Sequence, residues 1–564
     1  MTTQGRVSLP ARIVVAGTHS GVGKTSVATG LAAALVRAGH RVSTAKVGPD
    51  FIDPGYHAVA TGWPGRNLDA WMSGADAVPA LAERAASAAG VLVVEGVMGL
   101  FDGAASAVPG AVDPIRDDAS TAHVARLLDA PVVLVVDAAA MSRSVAALVA
   151  GFVRFDPGVR VAGVILNRVG SDGHEHLLRD AIDPLGVAVL GVLRRDDAFA
   201  WRDRHLGLVP VVEQRAEVAE SVRRLAAAVA AGCDLDALVR LARTAPPTVS
   251  GAPSRPTRRL VGSGAEAAAT ADAEAAAGAG AAVGVHAASP GHRTASVRSS
   301  GESGPLGLPG VGRTPTGGSA GRSGHLVSAR PGTTTPADSA GESRHLGLPG
   351  LGKRASMETS GPLRIAVASG PAFSFSYPDN LERLAETGAE VVPFDPLVDP
   401  TLPEGVAGLV VGGGFPEVFG ADLADNGPLL ADVARQVGGG LPTWAECGGL
   451  LWLCRSLDGH AMAGVIDAEG AMTDRLSLGY RTARALVDTP LGPAGIELRG
   501  HEFHYSAVSP TGAALRLEGR FGRGDAGHAS ASMLASYLHV HLGADPTPVE
   551  SFVDTCLSSM VTGR

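Results

Sequence analysis

The sequence has few cysteines, few aromatic residues and no long apolar run. Four cysteines among 564 residues are too few and too scattered for a disulfide framework or a zinc cluster. The apolar runs around positions 91 and 132 are interrupted by Glu95 and Asp137, well short of the roughly 18 residues that a membrane span needs. Residues 1–10 lack the apolar core of a signal peptide. These absences predict a cytoplasmic protein without a membrane segment.

Positive charge is also scarce. Lys and Arg number 47 against 56 Asp and Glu, which gives a net charge of −9. A protein that binds nucleic acid needs a basic face toward the phosphate backbone, so the composition disfavours that partner. We therefore expect small-molecule ligands, with neither nucleic acid nor membrane as a partner.

A third absence divides the chain. Between residues 251 and 360 there is no Phe, Tyr, Trp, Ile or Cys, while Gly, Ala, Ser, Thr and Pro dominate. Such a segment has too little apolar surface to offset the entropy cost of ordering it, which predicts a disordered linker. Within it, GESGPLGLPGVGR (301–313) recurs as GESRHLGLPGLGK (341–353), a pattern more typical of a local duplication than of a repeat fold.

Both flanking halves alternate short apolar runs with helical stretches. The first half contains RIVVA, VLVVEG and VVLVVDA, and the second contains RIAVA, EVVPF and GLVVGGG. Continuous apolar strands that alternate with helices predict a parallel sheet covered on both faces. We therefore predict an α/β protein with two parallel-sheet domains, residues 11–245 and 362–558, joined by a long disordered linker over 246–361.

A candidate phosphate-binding loop follows the first strand. Residues 17–25, GTHSGVGKT, connect RIVVA to a helix, which is the context such a loop requires. Backbone N–H groups of a glycine-rich turn and the helix N-terminus attract phosphate oxygens, and Lys24 is placed to reach the β- and γ-phosphates of ATP. The predicted nucleotide-binding residues of this loop are Gly17, Thr18, Gly21, Val22, Gly23, Lys24 and Thr25.

Charged side chains follow the next two strands of the same half. Ligands of an open parallel sheet lie beyond the carboxyl ends of its strands, so these groups are expected to converge on the phosphate loop. Lys46 is expected to place its positive charge over the phosphoryl group that is transferred. Asp50 and Asp102 are assigned to the substrate, with the alternative that such loop acids only cap helices or form turns. The predicted Mg²⁺ ligands are Thr25, Asp53 and Glu95.

The first half resembles dethiobiotin synthetase. Five residues separate Gly17 from the Gly-Lys pair, and Thr18 replaces a usual glycine, which is the form of that branch. Partitioning ATPases of the same superfamily carry a signature lysine where this chain has His19, so a membrane-cycling switch is the weaker interpretation. The resemblance implies that Asn167, next to Arg168, contacts the adenine edge, and a simple strand cap is the alternative.

A second candidate site surrounds Cys447. TWAECGGL predicts a strand, a tight turn and a helix, the nucleophile elbow that presents a thiol at a helix N-terminus. A thiolate also needs a base, for which His539 is the best candidate and His541 the alternative, and it needs oxyanion donors. Cys454, in LLWLCRS on a predicted helix, has no such turn and is interpreted as a buried structural thiol. The predicted oxyanion donors are Gly413, Gly414 and Gly448.

The second half resembles a class I glutaminase domain. In that family the base is usually followed two residues later by a Glu that orients it. This chain has His541 at that place. The departure favours a Cys447–His539 dyad over a full triad.

The two halves together resemble the cobyrinic acid a,c-diamide synthases. The motifs are KVGPDFIDPGYH (46–57), VEGVMGLFDG (94–103), RHLGLVP (204–210), GGGFPE (412–417) and, most specific, RGHEFHYS (499–506). The resemblance implies a ligase that activates the a and c acetate carboxylates of hydrogenobyrinate or cobyrinate with ATP and amidates them with ammonia from glutamine. Four polar or titratable groups in the eight residues of RGHEFHYS are costly to bury unless they contact something polar, so we expect His501, His504 and Tyr505 to contact the corrinoid or the domain interface. A strand with buried His and Tyr is the alternative.

Other functions stay open at this stage. Cobyric acid synthases share both domains and amidate other corrinoid side chains, and a nickel sirohydrochlorin is a further possible substrate. A regulatory P-loop ATPase needs only the phosphate loop and leaves Cys447 without a role. RGHEFHYS favours the a,c-diamide synthases, while the metal state of the tetrapyrrole and the existence of a homodimer are left open.

Overall fold

The structure is a computed structural model that describes residues 5–86, 89–104, 118–195, 203–204, 207–208, 211, 215–251, 362–520 and 522–561. The described residues of both halves belong to one compact unit. Most of the predicted linker, residues 252–361, lies outside the described residues. In the described part of the chain, no helix combines the length and apolar character that crossing a bilayer requires.

The first half alternates strands and helices as the sequence predicts. Its strands are β1 (Gly5–Ser8), β2 (Ala11–Gly17), β3 (Val42–Val47), β4 (Arg66–Leu68), β5 (Val91–Glu95), β6 (Val132–Asp137), β7 (Val161–Val169), β8 (Ala188–Arg194), β9 (Asp203–Arg204), β10 (Gly207–Leu208) and β11 (Thr248–Gly251). Its helices are α1 (Lys24–Arg37), α2 (Asp53–Thr61), α3 (Val78–Ala85), α4 (Thr121–Leu127), α5 (Ser144–Phe155), α6 (Asp172–Ile182), α7 (Arg215–Gly232) and α8 (Leu235–Ala242), with single 3-10 turns at Ala75–Ala77 and Asp183–Leu185.

Seven parallel strands form the central sheet of this half, in the order β4-β3-β5-β2-β6-β7-β8. Successive side chains of a strand point to opposite faces. Accordingly, Val14 of β2 belongs to one apolar cluster, and its neighbours Ile13 and Val15 belong to another on the opposite face. The prediction of a parallel sheet covered on both faces is confirmed.

The second half also begins as an α/β domain. Its strands are β12 (Arg364–Ala368), β13 (Glu390–Phe394), β14 (Gly408–Val411), β15 (Thr443–Glu446), β16 (Cys454–Leu457), β17 (His460–Ala461), β18 (Ile466–Ala485), β19 (Glu497–Ser509), β20 (Leu515–Gly519), β21 (Gly522–Ala526), β22 (His528–Ser530), β23 (Met533–Ser536) and β24 (His539–Val540). Its helices are α9 (Pro378–Glu386), α10 (Gly420–Asp425), α11 (Gly427–Gly438), α12 (Gly448–Leu453) and α13 (Thr547–Val561).

Two sheets make up this half. The first has the order β13-β12-β14-β15-β23-β22 and is parallel except for β22. The second is a mainly antiparallel sheet of seven strands built around the long β18–β19 hairpin. The sequence analysis did not predict the second sheet, because β18 is polar and largely exposed and lacks the apolar run that marks a buried strand.

The edge of the predicted linker is also structured. Strand β11 pairs antiparallel with β1, and Val249 and Val7 are buried against the core of the first half. Both strands lie beyond the predicted limits of residues 11–245. Four-residue strands with one or two apolar residues carry too weak a pattern to be predicted from the sequence.

Candidate active site

The predicted phosphate loop connects β2 to α1. Gly21 (φ 80°) and Gly23 (φ 96°) adopt left-handed conformations that favour glycine. A Cβ at Gly17 would lie 2.6 Å from Val22 Cγ2, so the first turn also requires glycine. Lys24 Nζ donates to the His19 carbonyl at 3.2 Å, which folds this side chain back over the predicted phosphate loop. Burial, with a contribution from Lys46, lowers the pKa of Lys24 to about 8.

Four charged or polar side chains from separate elements meet beside this loop. Lys46 Nζ lies 2.6 Å from Asp53 Oδ2 and 2.8 Å from Glu95 Oε1. Thr25 Oγ1 donates to Glu95 Oε1 at 2.6 Å and lies 3.3 Å from Asp53 Oδ2. The sequence therefore predicted correctly that these groups converge at the carboxyl edge of the sheet.

His57 adds a fifth member that the sequence analysis missed. Its Nε2 lies 2.7 Å from Glu95 Oε2, and its ring is fully buried. His57 follows Asp53 by four residues on α2, so the two side chains share one face of the helix. That spacing is the signal from which this residue can be found in the sequence.

Burial and neighbouring charges together shift the pKa values of this cluster. Burial raises the pKa of Asp53, with contributions from Asp50 and Glu95. Burial alone would also raise the pKa of Glu95, but Lys46 and His57 hold it well below its usual range. Burial alone would lower the pKa of Lys46, but the carboxylates of Asp53 and Glu95 raise it above its usual value. Lys46 and Glu95 are therefore both charged at neutral pH.

The donor set fits Mg²⁺, which prefers carboxylate, hydroxyl, phosphate and water oxygens. Asp53 and Glu95 supply two carboxylates, and the hydroxyl of Thr25 lies within hydrogen-bonding distance of both. Within the described ranges, no group of three or more His, Cys, Asp and Glu forms a metal site by itself. A Mg²⁺ ion here therefore needs phosphate oxygens and water to complete its coordination.

Asp50 and Asp102, the two side chains predicted to contact the substrate, accept hydrogen bonds from backbone N–H groups within turns. Asp50 Oδ1 accepts from the N–H groups of Ile52 and Asp53 at 2.8 and 2.9 Å. Asp102 Oδ2 accepts from the N–H of Gly99 at 2.9 Å. These contacts correspond to the alternative interpretation of loop acids that form turns, and a role of Asp50 or Asp102 toward substrate stays a prediction.

Asn167 braces the phosphate loop from the end of β7. Its Nδ2 donates to the Val22 carbonyl at 2.8 Å, and its Oδ1 accepts from the N–H of Arg168 at 2.9 Å. A Cβ at Gly23 would lie 2.5 Å from Asn167 Nδ2, so this close approach depends on glycine. The side-chain amide is therefore engaged with the loop, and contact with adenine stays a prediction.

Cys447 lies at the sharp turn between β15 and α12. Its backbone has φ 49° and ψ −100°, a conformation that costs energy for a residue with a Cβ and is characteristic of nucleophile elbows. A Cβ at Gly449 would lie 2.4 Å from the Val411 carbonyl, which explains the small residues after the cysteine. Cys454 lies one residue beyond α12, at the start of β16 rather than on the predicted helix, and burial raises its pKa to about 12.

His539, on β24, is the histidine paired with Cys447. Burial alone would lower the pKa of His539, but a hydrogen bond and charge interaction with Cys447, helped by Glu446, raise it to about 10. Glu446 Oε2 lies 3.6 Å from His539 Nδ1, an ion-pair distance, and Glu446 Oε1 accepts from the Val540 N–H at 3.1 Å. The sequence analysis missed Glu446, although its place directly before the nucleophile was a signal.

His541, the alternative base, points elsewhere. Its Nδ1 lies 3.2 Å from Ser73 Oγ of the first half, and its Nε2 lies 3.5 Å from Asp379 Oδ2. Its ring packs edge-on against Tyr377. These contacts assign His541 to the contact between the halves.

Two of the three predicted oxyanion donors lie together at the elbow. A Cβ at Gly448 would lie 3.1 Å from the backbone nitrogen of Gly414, so the two backbones adjoin. Gly413 differs, because its N–H donates to the Phe375 carbonyl at 3.0 Å and is committed to that bond.

A small cavity opens at the nucleophile. It contains one carboxylate, that of Glu417, and burial raises the pKa of Glu417 to about 7. The cavity is lined by Phe375, Gly414, Phe415, Glu417, Cys447, Gly448, Leu451, Met472, Phe503, His504, Tyr505 and Ser506.

The histidines of RGHEFHYS lie on β19 and face two different places. His501 Nε2 lies 2.9 Å from Tyr377 Oη, and its ring stacks on His539 with centroids 5.0 Å apart. His504 and Tyr505 line the cavity at Cys447, and burial lowers the pKa of His504 to about 4. The motif therefore contributes to the surroundings of the nucleophile, and His501 also contacts Phe51 of the first half, with ring centroids 5.7 Å apart.

Comparison with known proteins defines the class. Residues 13–209 match the CobQ/CobB/MinD/ParA nucleotide binding domain, and residues 364–547 match the CobB/CobQ-like glutamine amidotransferase domain. The protein is thus a glutamine amidotransferase joined to a nucleotide-binding domain, in the order that the sequence predicts.

Relatives along the full chain define the family. The chain is 46% identical to the hydrogenobyrinate a,c-diamide synthase of Streptomyces coelicolor, over 99% of this chain and 100% of the relative. The enzyme of the same name from Thermobifida fusca is 41% identical over 96% of each chain. The cobyrinate a,c-diamide synthase of a Synechococcus strain is 34% identical over 98% of this chain and 100% of the relative. The chain belongs to the a,c-diamide synthase family, which confirms the resemblance found in the sequence.

Proposed function

We propose that this protein uses ATP and glutamine to amidate the a and c acetate carboxylates of hydrogenobyrinate or cobyrinate in cobalamin biosynthesis. The observation that carries the proposal is the presence, in one compact unit, of a phosphate-loop cluster and a Cys447–His539 pair at an elbow. The full-length likeness to enzymes with that name supports the choice of substrate. Four cysteines are too few and too scattered for a disulfide framework, which suits a reducing compartment, so we place the enzyme in the cytoplasm.

The first half activates the carboxylate. The loop 17–25 binds the phosphates of ATP, and Lys24 and Lys46 carry positive charge toward the transferring phosphoryl group. Thr25, Asp53 and Glu95 would hold Mg²⁺, which neutralises charge on the phosphate oxygens when it is bound. An acetate oxygen of the corrinoid attacks the γ-phosphorus and ADP leaves, so the carboxylate gains the leaving group that it lacks at neutral pH.

The second half supplies ammonia. Sγ of Cys447 attacks the carboxamide carbon of glutamine, and the oxyanion is stabilised by the N–H groups of Gly414 and Gly448. His539, protonated at neutral pH and oriented by Glu446, donates a proton to the leaving ammonia. Water then hydrolyses the thioester and releases glutamate.

The cavity at Cys447 suits the amino-acid end of glutamine. An α-ammonium group needs a carboxylate partner when it is removed from water, and Glu417 supplies the one carboxylate of the lining. His504 and Tyr505 contribute a neutral ring and a hydroxyl to the same wall, so we propose that they contact glutamine rather than the corrinoid.

Ammonia displaces phosphate from the acyl phosphate, and two such cycles give the a,c-diamide. The test incubates the purified protein with ATP, Mg²⁺, glutamine and one tetrapyrrole at a time, and measures products by mass. We expect two carboxyl-to-amide changes on hydrogenobyrinate or cobyrinate. Amidation of the preformed a,c-diamide instead would indicate cobyric acid synthase chemistry, and amidation of nickel sirohydrochlorin alone would overturn the choice of substrate.

A further inference from the structure

One aromatic side chain of the first half reaches the catalytic base of the second. Phe51 lies in the loop between β3 and α2, directly after Asp50 and two residues before Asp53. Its half-buried ring contacts four rings of the second half, with centroid separations of 5.2 Å to Phe375, 4.5 Å to Tyr377, 5.7 Å to His501 and 5.0 Å to His539.

The loop that carries Phe51 is tied to the phosphate site. The Asp50 carboxylate accepts hydrogen bonds from two backbone N–H groups of the loop. Asn67 Nδ2 donates to the carbonyls of Gly48 and Asp50 at 2.9 and 2.8 Å. At its far end, Asp53 is held by Lys46 at 2.6 Å. The backbone around Phe51 is therefore held at both ends by groups that adjoin or belong to the phosphate site.

On the other side, His539 is enclosed by rings and backbone. His501 stacks on it at an interplanar angle of 14°, and a Cβ at Gly413 would lie 2.5 Å from His539 Cε1. Phe51 covers it from the first half. The base therefore has little freedom to rotate, and part of its enclosure belongs to the domain that binds nucleotide.

We propose that Phe51 is a positioning residue that couples the two sites: its ring seals the first-half side of His539 against water and makes glutamine hydrolysis depend on the state of the phosphate site. A phenyl ring neither donates nor accepts a proton, so it acts by holding the imidazole and excluding solvent. The proposal rests on the proposed function, since coupling matters only where ammonia released at one site is used at the other.

The test compares Phe51→Ala and Phe51→Leu with Ile52→Ala. Ile52 is the next residue of the same loop, but its side chain packs against an apolar cluster of the first half. Three quantities are measured on the full-length enzyme: glutamate released per amide formed, the stimulation of glutamine hydrolysis by ATP and tetrapyrrole, and synthesis from ammonium chloride.

We expect Phe51→Ala to release several glutamates per amide and to lose the stimulation, while synthesis from ammonium chloride stays within about twofold of wild type. Phe51→Leu, which keeps most of the apolar volume, should lie between Phe51→Ala and wild type, and Ile52→Ala should keep one glutamate per amide. Stoichiometric coupling in Phe51→Ala, equal effects in Phe51→Ala and Ile52→Ala, or loss of ammonia-dependent synthesis in Phe51→Ala would each overturn the proposal. A wild-type enzyme that hydrolyses glutamine without amidating any tetrapyrrole would overturn the proposed function instead, and the effect of ATP on hydrolysis would still test Phe51.

Discussion

The phosphate site and the glutaminase site lie at the carboxyl ends of parallel strands, but their surroundings differ. At the phosphate site, Lys46 lies between two carboxylates at 2.6 and 2.8 Å, and each charge has a partner of opposite sign. At the glutaminase site, the Cys447–His539 pair has one carboxylate at 3.6 Å and is otherwise enclosed by aromatic rings and glycine backbone. Substitutions at the first site should therefore act through charge, and those at the second through orientation and exclusion of water.

The contact between the two halves contains both ion pairs, as at the phosphate site, and aromatic contacts, as at the glutaminase site. Arg66 lies 3.0 Å from Asp379 and 2.5 Å from Glu382 of α9, and Arg84 lies 2.6 Å from Glu386 of the same helix. These ion pairs accompany the aromatic cluster around Phe51. The halves thus have their own means of association, a conclusion that bears on the segment between them.

The sharpest way to separate the two sites is to remove the nucleophile. Cys447→Ala should lower glutamine-dependent synthesis by on the order of 10³-fold or more, since an essential nucleophile has no substitute. Synthesis from ammonium chloride should continue, because the phosphate site keeps all its groups. Rates with both nitrogen sources give the comparison, and Cys454→Ala, at a second buried thiol of this domain, should retain both activities. Glutamine use that persists in Cys447→Ala would contradict the elbow assignment.

Removal of a charge at the first site should have the complementary effect. Lys24→Ala should lower synthesis from either nitrogen source by roughly 10²- to 10³-fold, because an electrostatic partner of the phosphates is lost. Arg37→Ala, an exposed cation at the other end of α1, is the control and should resemble wild type. Near-normal synthesis from ammonia in Lys24→Ala would remove this residue from the nucleotide site.

The next largest effect on activity is expected when the group that orients His539 is changed. Glu446→Gln keeps an acceptor for the Val540 N–H but removes the charge near His539, so kcat for glutamine should fall about 10- to 100-fold while KM changes little. Since Glu446 helps to raise the pKa of His539, its loss should move the alkaline limb of the kcat profile to lower pH. If Glu446→Gln changes neither kcat nor the alkaline limb of its pH profile, the Cys447–His539 dyad acts without Glu446.

How much the sequence alone predicts also differs between the sites. The residues 17–25 are contiguous, because a phosphate loop is built from neighbouring backbone N–H groups. The convergence of Lys46, Asp53 and Glu95 follows from the common edge shared by the ends of parallel strands. Both features are local or topological, and the sequence predicted them.

Contacts that depend on how the side chains and the two halves pack were not predicted. Glu446 reaches His539 only because β24 lies beside the end of β15, and Phe51 reaches the same ring only after the two halves associate. Similarly, the hydrogen bond from the Gly413 N–H to the Phe375 carbonyl joins two segments whose contact cannot be inferred from the spacing of residues in the sequence. Motifs identify the reactive groups, whereas their orientation is a property of packing.

The cavity at Cys447 makes a weaker, pH-dependent contribution. Glu417→Gln should raise KM for glutamine about 10- to 100-fold, because a charged partner of the α-ammonium group is lost. With a pKa near 7 that burial has raised, Glu417 is largely neutral at pH 6 and ionised at pH 8, so the wild-type KM should fall roughly tenfold across this range. The variant should show no such fall. A KM that is independent of pH in the wild type would exclude Glu417 as the partner.

The smallest effect is expected from the segment that separates the two sites in sequence. Deletion of residues 252–360, replaced by Gly-Ser spacers of graded length, should preserve most amidation with both nitrogen sources, since its composition offers little to bury and carries no catalytic group. The ion pairs of Arg66 and Arg84 with α9 and the ring contacts of Phe51 belong to the folded halves, so they should still bring the sites together. Because the entropy of loop closure depends only weakly on length, shortening should change the association of the halves by about 1 kcal/mol or less. Rates and glutamate-to-amide ratios across the spacer series measure this directly. A deletion variant that folds, hydrolyses glutamine and binds ATP but fails to amidate even with ammonia, at every spacer length, would mean that the segment contributes to the synthetase site itself.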